Sequence, residues 1–182
     1  MTNHLGEWFW GERQERGWGP GEVARRLGYT NVSKACNKLL RFERQGEVAD
    51  DFLARLAALY EVPGGWVRYL AQSDRLAYLA AWERWADEPV PIRIVVRAVP
   101  GFMVELATPT NVTTPEQVVA FAQNYARLHR KKVFAVLSRR ETVGITEAGE
   151  VDGRFHATPE SDPCPGMSLG RVRFLVRLGR FD

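Results

Sequence analysis

The sequence predicts an α+β protein, with five helices in its first half followed by a small domain of mostly antiparallel sheet and one helix. Three observations carry this prediction. Apolar residues recur at helical spacing up to about residue 87, and all six tryptophans (Trp8, Trp10, Trp18, Trp66, Trp82 and Trp85) lie in that part. The segment DEPVP at 87–91 has the proline punctuation of a boundary. Beyond it apolar residues alternate in short runs, which is the period of half-buried strands. These features predict two domains, 1–87 and 88–182.

The first helix covers about 4–16, with Leu5, Trp8 and Phe9 on its apolar side, and ends at Gly17. The second begins near Pro20, a residue tolerated in a first turn, places Val23, Ala24 and Leu27 together, and ends at Gly28. A third runs from about Asn31 to Gln45. The fourth, about 49–60, turns Phe52, Leu53, Leu56, Ala57 and Tyr60 inward. A long fifth, from about Pro63 to Ala86, carries Trp66, Tyr69, Leu70, Leu76, Leu79, Trp82 and Trp85.

In the second half, Ile92 to Ala98 and Phe102 to Ala107 read as strands paired across Pro100 and Gly101. Thr114, Pro115, Glu116 and Gln117 form a capping box that starts a helix bearing Val118, Phe121, Ala122, Tyr125 and Leu128. Strands are expected at about 133–138, 141–146, 150–155 and 170–178, with a turn around Gly149 and a long loop over 156–168. The last strand would set Arg171, Arg173 and Arg177 opposite Val172, Phe174, Val176 and Leu178. With Arg93 and Arg97 these would cover a sheet face, either an ordinary solvent face or a surface for an anionic ligand, an acidic partner or nucleic acid.

At 182 residues, 45% hydrophobic and 26% charged, the chain can bury one sizeable core or two small ones. No run approaches eighteen apolar residues and the first residues lack a secretory pattern, so no membrane association and a cytoplasmic location are expected. Cys36 and Cys164 are expected as free thiols, being too few for a disulfide framework. The formal charge is +3, but residues 1–90 hold 12 Lys+Arg against 13 Asp+Glu. Any nucleic-acid footprint there must therefore be a local patch.

The third helix supplies such a patch. At about 100° per residue, Val32, Ala35, Cys36, Leu39 and Phe42 fall in one half of the wheel. The other half holds Ser33, Lys34, Asn37, Lys38, Arg41, Arg44 and Gln45, with no carboxylate. Lysine and arginine suit phosphates and guanine edges, and asparagine and glutamine suit adenine edges. A merely solvated face usually mixes signs.

With Ala24, Gly28 at the turn, Val32 and Leu39 in the third helix, and the ending Glu43, Arg44, Gln45, Gly46, the segment from about Leu5 to Val62 resembles the lambda-repressor-like (Cro/XRE) helix-turn-helix family. The resemblance implies a third helix that enters the major groove of double-stranded DNA, with Asn31, Ser33, Lys34, Asn37, Lys38 and Arg41 as contact residues, and Arg44 on the same acid-free face joins them as a candidate. Two features differ from that family's pattern. Pro20, which has no side-chain donor, stands where a glutamine usually opens the second helix, and the turn Gly28–Asn31 is about one residue longer. Glu43 lies on the apolar side, about 20° from Val32, and the resemblance implies pairing with Arg13 or Arg16. The alternative is a frayed helix end that leaves Glu43 in water.

The expected function is that of a sequence-specific DNA-binding transcriptional regulator of bacterial or phage type. The C-terminal domain would serve sensing, partner binding or dimerisation, and the fifth helix would form either a homodimer surface or a contact between domains. The alternative is a protein-interaction module, an adaptor or inhibitor that uses the same fold without DNA. An enzyme is not expected, and no cofactor or metal. His4, His129 and His156 sit on separate segments without ligand spacing, and His156, Asp162 and Cys164 share only a flexible loop.

Overall fold

The structure, a computed structural model, describes residues 3–99 and 102–178, with only the backbone given for residues 97–99 and 102. The architecture is α+β, as expected. The chain forms two compact units: the first joins the segment up to Trp82 with the segment from Pro163 onward, and the second is Glu83–Asp162.

Six helices form the first unit: α1 (His4–Glu15), α2 (Pro20–Arg26), α3 (Val32–Gln45), α4 (Asp50–Leu59), α5 (Gly64–Asp87, its last turn passing into the second unit) and α7 (Leu169–Leu178). Their ends have clear local causes. Asn3 caps α1, its Oδ1 accepting from the Gly6 amide at 3.1 Å. Gly17, Gly28 and Gly46 follow α1, α2 and α3 at φ 65°, 74° and 71°, a backbone region that costs glycine nothing. The amide of Gly46 donates to the Phe42 carbonyl at 2.7 Å, which closes α3.

Leu5, Phe9, Val23, Leu27, Leu39, Phe42, Phe52, Leu53, Leu56 and Tyr60 fill the core, together with Leu70 of α5 and Phe174 of α7. Asp74 and Asn3 are among the polar groups built into it. The Asp74 carboxylate accepts from the His4 and Leu5 amides at 2.7 and 3.1 Å, satisfying donors that the start of α1 would otherwise leave open. Burial still pushes its pKa up, outweighing those bonds. The Asn3 amide donates to the Glu43 carbonyl at 2.8 Å, which ties the start of α1 to the end of α3.

The expected strand at 170–178 is a helix, and its segment belongs to the first unit and not to an 88–182 domain. The Ser168 hydroxyl accepts from the Arg171 amide at 3.2 Å and its carbonyl from Val172 at 3.0 Å, starting a turn. Val172, Phe174 and Leu175 are then buried. Leu175 is decisive, because a strand that buried Val172 and Phe174 would have turned it outward.

In the second unit, β1 (Arg93–Val99), β2 (Phe102–Leu106), β3 (Val133–Val136), β4 (Glu141–Ile145) and β5 (Val151–His156) form one sheet in the order β2-β1-β3-β4-β5, every neighbouring pair antiparallel. Helix α6 (Pro115–His129) starts at the expected capping box, with Thr114 accepting from the Gln117 amide and Gln117 from the Thr114 amide. Val118, Ala122 and Ala126 of α6 pack on Ile94, Val96, Val133, Ala135, Val143 and Ile145 of the sheet. The turn expected at Pro100 and Gly101 lies outside the described residues.

Candidate nucleic-acid interface

Helices α2 and α3 are joined by the five residues from Leu27 to Asn31. Gly28 donates to the Arg25 carbonyl at 2.8 Å and Tyr29 to the Ala24 carbonyl at 3.1 Å, so the chain reverses at once. Tyr29 packs at 5.9 Å from the Phe52 ring, with the Arg55 guanidinium over the Tyr29 ring at 4.5 Å. The long turn is thereby pinned to α4. Asn31 then caps α3, its Oδ1 accepting from the Lys34 amide at 3.0 Å.

The apolar side of α3 is fixed by Ala35, Leu39 and Phe42, all buried, and by one ion pair. Arg13 donates from Nε and Nη2 to the two Glu43 carboxylate oxygens at 2.6 and 2.8 Å, and from Nη1 to the Trp18 carbonyl at 3.0 Å. Both side chains are almost fully buried. Arg13 is thus the partner of Glu43, and the carboxylate's hydrogen bonds push the guanidinium's pKa up. Arg16 instead lies over the Tyr60 ring at 5.0 Å and pairs with Glu12.

The opposite side of α3 is open to water. Asn31, Ser33, Lys34, Asn37, Arg41 and Arg44 are exposed, while Lys38 is half-buried with its ammonium 4.6 Å over the Phe52 ring. Four of the seven expected contact residues, Lys34, Asn37, Lys38 and Arg41, line one groove of about 650 Å³. The other three are not brought into it. Asn31 spends its oxygen on the cap, Ser33 lies outside the lining, and Arg44 borders a separate hollow with Glu7 and Trp10. Of the groove cations, Arg41 is paired with Glu47 at 3.0 Å.

The far wall of the groove is α7, through Gly170, Arg173, Phe174 and Arg177. Arg173 and Arg177, expected on a sheet, thus stand on a helix that faces α3. The signal for a helix was present, since Ser168 is a good N-cap residue and 170, 173 and 177 share one helical face.

The arginine-covered sheet is not formed from these residues. Arg171, Arg173 and Arg177 are helical, and Arg171 is buried in the first unit, where burial lowers its pKa against the opposing pull of Asp74 and Glu47. Arg93 pairs with Glu105 at 3.4 Å, and the side chain of Arg97 lies outside the described residues. Arg139 pairs with Glu88 at 2.8 Å, and Arg140 with Glu83 and Asp87 at 2.6 and 2.8 Å.

Cys36 and Cys164 are free thiols, and burial pushes Cys164 up in pKa, which holds it protonated. On α5, Tyr69 and Leu76 are both 59% exposed, whereas Trp82 is buried. No helix among the described residues is long and apolar enough to cross a membrane. No family model, curated protein or solved structure matches this chain.

Proposed function

We propose that this chain is a sequence-specific DNA-binding regulator of the lambda-repressor-like helix-turn-helix kind, acting in a bacterial or phage-infected cytoplasm. One observation carries the reading: an acid-free polar face on α3, open to water, on a helix whose other side is locked by Phe42 and the buried Arg13–Glu43 pair. A rigid helix with such a face meets the demands of a major groove, where positioned donors read base edges and cations hold phosphates. Asn37, between Lys34 and Arg41 on that face, is the reader of bases; Lys34, Lys38 and Arg41 serve phosphates or guanine.

Two-fold operators favour dimers. Trp66, Tyr69 and Leu76, the exposed apolar side chains of α5, would meet a second copy. The sheet unit would sense a ligand or bind a partner protein.

Selection of bound fragments from random duplex DNA at physiological salt tests the reading, with recovery of one enriched motif as the expected result. Recovery of no motif, together with retention that is indifferent to salt, overturns it in favour of a protein-binding role.

A further inference from the structure

We infer that α7 is the second wall of the DNA interface, with Arg173 and Arg177 holding phosphates of the duplex whose bases α3 reads. This rests on the reading of α3 proposed above and goes beyond it, because it adds to the interface a helix lying more than a hundred residues further along the chain.

The charge distribution is the first support. Lys34, Lys38 and Arg41 enter the groove from α3, and Arg173 and Arg177 enter it from α7, with Glu47 as the one carboxylate among the described residues of the lining. Glu47 is engaged by Arg41 at 3.0 Å and by the Ser168 hydroxyl at 3.3 Å. Arg177 rests on Asp50 at 3.1 Å. Among the described residues Lys34, Lys38 and Arg173 make no ion pair. Like charges gathered across a groove repel one another, and the arrangement becomes favourable when a polyanion enters and neutralises them.

The character of α7 is the second support. A helix that covered the reading face in order to silence it would offer carboxylates to the α3 cations. The helix LGRVRFLVRL has none, and its exposed arginines are one turn apart on the groove side, so it adds to the positive potential of α3.

Its placement is the third. Val172, Phe174 and Leu175 are buried and anchor α7 in the core. The arginines therefore stand on a fixed element, which is what positions a phosphate contact.

The test is fluorescence anisotropy with the full chain, using a labelled duplex that carries the selected motif and a scrambled duplex, across a salt series. Arg173 is the better probe because it is exposed and makes no ion pair among the described residues, so its replacement should leave the fold intact, which a circular-dichroism melt checks. Arg173→Ala should weaken binding to both duplexes by a similar factor and make the slope of log K against log salt shallower by about 0.9, while Arg173→Lys retains the slope. Arg177→Ala should act in the same direction, and Asn37→Ala should instead erode the ratio between the two duplexes. If Arg173→Ala and Arg177→Ala leave the slope unchanged while Lys38→Ala lowers it, α3 reads DNA and α7 takes no part. If the unaltered chain shows no salt-dependent binding to either duplex, the proposed function itself fails and α7 loses its role with it.

Discussion

Arg13 grips Glu43 with two parallel hydrogen bonds, Nε to one oxygen and Nη2 to the other, at 2.6 and 2.8 Å inside the core. Removing one partner leaves the other charge buried and alone. Arg13→Ala or Glu43→Ala should therefore cost about 3–5 kcal/mol, measured by denaturant unfolding. Replacing both, as Arg13→Met with Glu43→Leu, should recover most of the loss. A double variant no better than either single one would mean that the pair positions α3 in a way that apolar packing cannot replace.

Gly6 faces the carbonyl oxygens of Phe42 and Glu43, which a methyl group at that position would approach to 2.6 and 2.8 Å. These are backbone atoms of α3 and cannot swing aside. Gly6→Ala, usually favourable within a helix, should here destabilise by about 1–3 kcal/mol. Gly11 lies on the same helix with nothing within 4 Å of an added methyl, so Gly11→Ala is the control and should stabilise slightly.

Burial pushes the Tyr60 phenol from its ordinary 10.0 up to about 12, and the Glu43 carboxylate adds to the shift. The folded state thus holds a proton that the unfolded state releases first. Stability from this group is intact below pH 10 and falls as pH climbs toward 12. The difference in phenolate absorbance between the unaltered protein and Tyr60→Phe should show a midpoint near 12. Because the hydroxyl is buried with no hydrogen-bond partner among the described residues, Tyr60→Phe should be neutral or stabilising by up to about 1 kcal/mol at pH 7.

Phe174 sits in the core of the first unit although it lies in a segment that follows the sheet. Phe174→Ala should cost about 3–5 kcal/mol and lower the melting transition of the helical unit. A fragment cut at Asp87 lacks α7 and should be less stable than the full chain by calorimetry. Equal stability of the fragment would show that α7 is dispensable to that core.

The features legible in the sequence were those written locally. The polar face of α3 could be seen because a helix of period 3.6 sorts Lys34, Asn37 and Arg41 from Ala35, Leu39 and Phe42 within fourteen residues. The capping box at Thr114 and the turns at Gly28 and Gly149 were equally local. The partner of Glu43 came from family resemblance, with Arg13 and Arg16 as alternatives, and only packing separates them. Helix α7 reads as a strand in the sequence because Val172, Phe174, Val176 and Leu178 also satisfy a period of two, and their β-branched and aromatic character favours a strand. Its place beside α3 was invisible for a different reason. Ser168 and Glu47 are 121 positions apart, and nothing in either neighbourhood marks the other.

The split composition of the helical unit orders its assembly in time. Synthesis proceeds from the N-terminus, so α1 to α5 emerge first, yet Phe174 and the other anchors of α7 follow only after Glu83–Asp162 has been made. That intervening stretch is contiguous and carries all its strands and α6, so it can complete its core while the older helices still wait for theirs. A released chain that ends between Asp162 and Ser168 should hold a finished sheet unit and a helical unit whose Phe174 socket is still exposed to solvent, a state that a chaperone or protease can recognise.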